Sequence, residues 1–323
     1  MECRRARAAS YNIFRMSTSD DRIVALCDEL ATKLDDAVTR AGGGLIVDFD
    51  LEQFRLRNNG ICWPDLSYGE LQTACAALLR VGVLRNGYSI VDQDHLYLWS
   101  WIAQLLHAHP PEVTEPIAAH DTLCLAVRAA LAPVRLSGLD QNTQELFNLV
   151  DRLIPYHLRE LRTHSSEILT YLAFPALEAA LRLACGDFVD SKGFVLAPFA
   201  SVGGRSYAPG NRCSNLRDLL LLLYDRVAPS DLRDMLTRIR VHLSTLDSTT
   251  DPFELVFAWR NSTLHGERQL STVSATVLTI GLLVGLHTIE SDFGARQSRA
   301  RKIADWEIGR GLYGRSYGFF PPA

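Results

Sequence analysis

The stretch DPFELVFAWRNSTLHGE, residues 251–267, decides how this chain is read. Asp251 is a good helix cap and Pro252 suits a first helical turn, where its missing N–H costs nothing. Phe253 to His265 continues as a helix, and Gly266 supplies the stop. Inside this apolar helix stand three polar side chains, Arg260, Asn261 and His265. A four-residue step puts Asn261 and His265 on one face. Arg260 lies about 100° round from Asn261, and its long stem can swing the guanidinium towards the same spot. A titratable imidazole, an amide and a permanent cation thus converge at the end of one helix.

Working outward from that helix, the surroundings read as helical too. An apolar helix follows at Val273 to Ile289. Upstream come helices over Ser230 to Leu243 and Asn215 to Val227, the glycine-rich loop SVGGRSYAPGN (201–211), and a long stripe through Leu169, Leu172, Leu177, Leu181 and Ala184 with a kink expected at Pro175. A further helix, Gln144 to Leu161, is broken by Pro155. Residues 140–290 are therefore expected to form an up-and-down bundle of four or five helices. Four prolines (110, 111, 116 and 133) mark 106–139 as a connector holding one short helix at 119–131.

The N-terminal part differs. Asp20 and Asp21 open a helical pattern through Ile23, Cys27, Leu30 and Leu34, which Gly42-Gly43-Gly44 ends. LIVDFD (45–50) reads as a strand, and Asp65-Leu66-Ser67 precedes a second helix. VLRNGYSIVDQDHLYLW (83–99) reads as a hairpin about Asn86-Gly87. Residues 17–105 are expected to form a small winged-helix-like α+β domain, so the fold class is mainly α with that unit in front. Its 13 acidic against 7 basic residues argue against DNA reading and favour partner binding or dimerisation.

The whole chain has 323 residues, 33 Lys+Arg against 37 Asp+Glu, a formal charge of −4 and 47% hydrophobic residues. This composition excludes a disordered, collagen-like or polyanion-coating protein. The most apolar run, Val273 to Leu286, falls short of the roughly 20 residues of a membrane span. Seven cysteines form no CxxC pair and no metal-ligand rhythm, which points to a reducing cytoplasm. Residues 1–16 form an Arg-rich leader without an apolar signal core, expected to be disordered. It either imitates a transit peptide or precedes a natural start at Met16.

Arg, Asn and His together suit metal-free phosphodiester chemistry on RNA. A neutral imidazole takes the proton of a ribose 2′-hydroxyl, or a protonated one gives a proton to the leaving oxygen. A guanidinium fork holds the non-bridging oxygens as charge builds. The amide orients the imidazole or the phosphate. The expected product is a 2′,3′-cyclic phosphate, and no cofactor or metal is required.

RNSTLH (260–265) resembles the Arg-x4–6-His signature of HEPN domains, including the Asn after the Arg that active members commonly carry. AFPALEAALRLAC (173–185) is similar to the first long helix of many such domains. The resemblance covers roughly 140–290. It implies a metal-independent endoribonuclease of the toxin–antitoxin, antiphage or CRISPR-linked kind, acting as a homodimer through the helical bundle. It further implies Arg260 as phosphate contact, His265 as general acid or base, Asn261 as orienting amide and Glu178 as a supporting polar residue. RNA is the implied substrate, and an antitoxin or regulatory protein an implied partner.

Ordinary structural roles compete with each of these. Arg260 pairs with Glu254 or Glu267 and His265 caps the helix, or Glu178 and Arg182 form a plain helix ion pair. The chain is then a non-catalytic helical binding or scaffold protein with a regulatory N-terminal domain. Arg205 and Arg212 either touch RNA from the 201–211 loop or belong to a connector. The 291–323 tail carries 3 acidic and 6 basic residues, among them Arg296, Arg299, Arg301 and Lys302. Its GRGLYGRSYGFF end either stacks on single-stranded RNA or packs its aromatics on the body. GRSYG (314–318) matches a hydrolase pattern but lacks a downstream acid and His. GGRS (203–206) lacks the Gly-Lys-Ser/Thr of a phosphate loop, and His107-Ala108-His109 has no third ligand at matching spacing.

Overall fold

A computed structural model of the chain describes residues 20–40, 56, 59–83, 93–110, 117–131, 165–201, 205–266 and 271–309. Among them are ten α-helices: α1 (Asp20–Arg40), α2 (Tyr68–Leu78), α3 (Gln93–His107), α4 (Ala118–Leu131), α5 (Ser165–Ala184), α6 (Leu216–Leu222), α7 (Ser230–Ser244), α8 (Pro252–Leu264), α9 (Ser271–His287) and α10 (Phe293–Gly309). The strands are short: β1 (Phe199–Ala200) pairs antiparallel with β2 (Ser206–Tyr207) between α5 and α6. The fold is mainly α.

Local chemistry sets several of these starts. Ser67 caps α2 in a reciprocal box, its hydroxyl accepting from the Glu70 N–H while Glu70 Oε2 accepts from the Ser67 N–H at 2.8 Å. Asn215 caps α6 by accepting from the Arg217 N–H at 2.9 Å. α5 runs from Ser165 to Ala184 with Pro175 inside it.

α9 is the centre. Val277, Leu278, Ile280, Leu282, Leu283, Val284 and Leu286 are all fully buried, as expected of a helix apolar on every face. It packs on α5, α4, α3 and α2. Trp99 of α3 donates its indole N–H to Thr279 Oγ1 at 3.0 Å. Gly281 and Gly285 let α9 approach closely: a Cβ at Gly285 would lie 2.7 Å from Leu123 Cδ1 on α4.

Three expectations need correction. The hairpin over 83–99 fails in its second arm, because residues 93–107 are helix α3. Leu98, Trp99, Trp101, Ile102, Leu105 and Leu106 are all buried, so the run is apolar on several sides and suits a core helix rather than a half-exposed strand. Nor does the described part of the expected 106–139 connector stand apart, since α4 buries Leu123, Ala126 and Val127 in the same hydrophobic core that holds Ile23 and Leu71 from the N-terminal helices. α3 packs on α9 as well as on α2, so the described N-terminal helices share their core with the helices that follow. Third, the first part of the expected 291–323 tail is the ordered helix α10.

The expected leader (1–16), strand 45–50, turn at Asn86-Gly87, helix 144–161 and tail beyond 309 lie outside the described residues. Among the described residues no single helix is long and apolar enough to cross a membrane.

Candidate active site

α8 begins and ends as its sequence dictates. Asp251 Oδ1 accepts from the N–H groups of Phe253 and Glu254 at 3.0 and 3.3 Å, and Pro252 occupies the first turn. Asp251 Oδ2 meanwhile takes Arg240 Nη2 of α7 at 2.7 Å. The Arg240 guanidinium also lies over the rings of Phe253 and Tyr224, 4.7 and 5.2 Å from their centroids. This ties the start of α8 to α7. At the other end His265 is the last capping residue, its N–H bonded to Asn261 O at 3.0 Å. Gly266 then adopts φ +83°, the left-handed conformation that makes glycine the residue of choice at a helix stop.

Phe253, Val256 and Thr263 are the buried residues of α8, and they define the face turned to the core. Arg260 falls on that face at helical spacing. Its side chain is 23% exposed and reaches α5, where Nη2 lies 3.6 Å from Glu178 Oε2. Among the described residues the carboxylate partner is thus Glu178 rather than Glu254, which instead pairs with Arg217 at 3.0 Å; Glu267 lies outside the described residues. Glu178 is shared, because its Oε1 is held in a close ion pair by Arg182 one turn along α5. Both contacts to Arg260 are long: 3.6 Å to Glu178 and 3.4 Å from Nη1 to Asn261 Oδ1. The guanidinium is oriented without being saturated.

Asn261 and His265 lie towards the exposed flank of α8, about 40° apart at roughly 3.6 residues per turn. Asn261 is half-buried and His265 exposed. Among the described residues no hydrogen bond joins the Asn261 amide to the imidazole; the amide oxygen faces Arg260 instead. The sequence-derived set therefore comes together as an Asn261–Arg260–Glu178 chain, with His265 one turn beyond in water. Arg182, read from sequence only as the i+4 partner of Glu178, also joins this set. The signal for it was present: an acid and a base one turn apart on a helix that otherwise buries apolar residues.

Arg182 also connects the group to the 186–213 segment. Its Nη1 lies 3.5 Å from Ser191 O, while its buried Nε has no hydrogen-bond partner. Gly193 (φ +88°) sits against the guanidinium, where a Cβ would approach Nη2 to 3.2 Å. Arg205 and Arg212, expected near RNA, are exposed on this segment; Arg205 lies over the Tyr207 ring at 5.3 Å. Below it the Tyr207 hydroxyl donates to the buried Asp218, and burial together with this carboxylate pushes the phenol pKa up.

Arg299 and Arg301, of the expected basic tail, make other contacts. Arg299 donates to His109 O, and Arg301 bonds Pro64 O and pairs with Asp65 Oδ1 at 3.0 Å. They belong to a helix that binds the body through backbone carbonyls, so their fork donors are engaged in holding the fold. His107 and His109 do not form a metal site with neighbours: among the described residues no group of three or more His, Cys, Asp or Glu is placed to hold an ion. His109 stacks on His120 instead, centroids 5.9 Å apart. Burial pushes the Cys124 and Cys185 thiols up to about 12, so they behave as small hydrophobes.

Compared with protein-family models, with curated proteins and with solved structures, this chain shows no match.

Proposed function

We propose that this chain is a metal-independent endoribonuclease of HEPN type, with Arg260 and His265 as its catalytic residues. One observation carries the reading. The Arg260 guanidinium is held half-buried between Glu178 and Asn261 by long contacts, with the exposed His265 one helical turn away. Such a cation keeps donors for a phosphate, and the imidazole is open to water and substrate.

In the reaction the ribose 2′-hydroxyl loses its proton to a base and the 2′-oxygen bonds to phosphorus. The bond from phosphorus to the 5′-oxygen breaks, and that oxygen takes a proton from an acid. The products are a 2′,3′-cyclic phosphate and a 5′-hydroxyl, with no net gain or loss of protons. His265 performs one proton transfer. A second copy of the chain, docked through the bundle, supplies the other imidazole. Arg260 stabilises the charge on the non-bridging oxygens; Asn261 fixes its direction, and Glu178 supports it before RNA enters. The setting is a reducing cytoplasm, and the role is that of a toxin or antiphage effector.

The test is RNA degradation by the purified protein in EDTA, with 2′,3′-cyclic phosphate ends. His265→Ala and Arg260→Ala lower it by orders of magnitude while thermal unfolding stays cooperative. The Glu178–Arg260 contact also favours a second reading, a non-catalytic scaffold in which Arg260 is only an internal ion-pair partner. That reading requires no cleavage under any metal condition.

A further inference from the structure

Resting on the endoribonuclease reading, we propose that Arg182 is a second phosphate-binding guanidinium of the same site, and that Glu178 competes with the RNA backbone for both arginines.

Three observations meet here. First, one carboxylate serves two guanidiniums: Oε1 faces Arg182 and Oε2 faces Arg260, so the cluster carries one uncompensated positive charge. The two arginines come from different helices, α5 and α8, and this shared partner fixes them as neighbours. Second, neither guanidinium is saturated. Arg260 makes contacts of 3.4 and 3.6 Å, while Arg182 adds to Glu178 only a 3.5 Å approach to Ser191 O, with its Nε unpartnered. An RNA phosphate offers two non-bridging oxygens, the acceptor geometry a guanidinium fork prefers. Third, exposure is matched: the side chains of Arg182, Arg260 and Glu178 are 19%, 23% and 14% exposed. Water therefore screens the charges weakly, yet each side chain keeps an open edge. The absence of a side chain at Gly193 lets the Arg182 guanidinium lie where it does, since a Cβ there would stand 3.2 Å from Nη2.

A phosphate entering this site replaces Glu178 as the shared anion. Arg260 then holds the scissile phosphate and Arg182 a neighbouring one. Glu178 keeps the two cations together in the free protein and weakens RNA binding by the same contact.

The experiment measures anisotropy of a fluorescent oligoribonucleotide with 2′-O-methyl groups, which cannot be cleaved, bound to the full chain in EDTA over a range of salt. Arg182→Gln is expected to weaken binding about tenfold. It should also make the slope of log K against log salt shallower by about 0.7, the loss of one phosphate contact on a single strand. Arg182→Lys keeps the slope. Glu178→Gln is expected to tighten binding several-fold, a direction that a merely structural carboxylate would not produce. An unchanged slope in Arg182→Gln, or binding no tighter in Glu178→Gln, overturns the proposal. If Arg182→Gln does not fold, Glu178→Gln decides alone. The underlying reading fails separately, by an absence of cleavage in EDTA or by full activity of His265→Ala. Loss of cleavage in His265→Ala beside parental binding in Arg182→Gln would retain the nuclease and reject the second guanidinium.

Discussion

Arg296 of α10 caps the end of α3: its Nη1 donates to Leu105 O at 3.3 Å and to Leu106 O at 3.0 Å. Its Nε meets Asp292 Oδ2 at 2.7 Å, and the residue is only 3% exposed. A helix ends in carbonyls without intrahelical donors and with a partial negative charge, and a guanidinium answers both. Gln297 extends the attachment by donating to Pro64 O and Leu66 O at 3.0 and 2.8 Å. Replacing Arg296 by Ala strands Leu106 O and Asp292, while Leu105 O keeps the Ala108 N–H at 3.2 Å. With Asp292 partly exposed, the expected loss is about 2–3 kcal/mol of stability, measured by urea unfolding.

Buried histidines make the fold acid-sensitive. His95 is fully buried with Nε2 against Leu78 O at 2.9 Å, and burial pushes its pKa down to about 4 from the ordinary 6.5. His120, beside Arg296 and hydrogen-bonded to Thr288, is pushed down to about 3, chiefly by burial. Between pH 6.5 and those values the unfolded chain takes up protons that the folded chain refuses. Stability is therefore complete above about pH 6.5 and falls as pH drops towards 4, by on the order of 3 kcal/mol for His95 alone. His95→Gln cannot take up that proton, so its stability profile should be flatter over the same window than that of the parent.

Close packing at α9 leaves no room for a side chain. At Gly281 a Cβ would lie 3.1 Å from Leu123 Cδ2 and 3.5 Å from the backbone Cα of Leu177. Leu123 and Leu177 are themselves fully buried and cannot swing into solvent. Gly281→Val should cost about 1–3 kcal/mol through overpacking, despite the better intrinsic packing of valine in an apolar core. A thermal melt equal to that of the parent would contradict this.

Asp251 holds two N–H groups of α8 and the Arg240 guanidinium. Asp251→Ala is expected to cost about 1–2 kcal/mol. Because α8 also carries Arg260, Asn261 and His265, hydrogen exchange in 252–265 should speed up, with RNA cleavage lowered less than by loss of His265.

At the site itself, Arg260→Ala should lower kcat roughly 100-fold to 1000-fold, the usual effect of losing a transition-state donor. Arg260→Lys retains the charge without the fork and should fall between parent and Ala. His265→Ala should cost about 100-fold to 10,000-fold in kcat. These three are read from initial rates of RNA cleavage in EDTA.

Much of α8 is legible in the sequence: Asp251, Pro252 and Gly266 act through neighbours in the chain, and the uniform apolarity of α9 requires burial. The same local signals mislead over 93–99, which reads as a strand arm but is helical from Gln93. Composition shows the basic character of 291–323 but not that Arg299 and Arg301 reach the backbone carbonyls of His109 and Pro64. The partner of Arg260 was decided only when α5 came to lie beside α8, bringing Glu178 rather than the nearby Glu254 within reach. Caps, stops and periodicity depend on residues within a turn or two, so sequence carries them directly. Which distant carboxylate meets a guanidinium depends on how whole helices pack, and that follows from the summed burial of many side chains rather than from any short pattern.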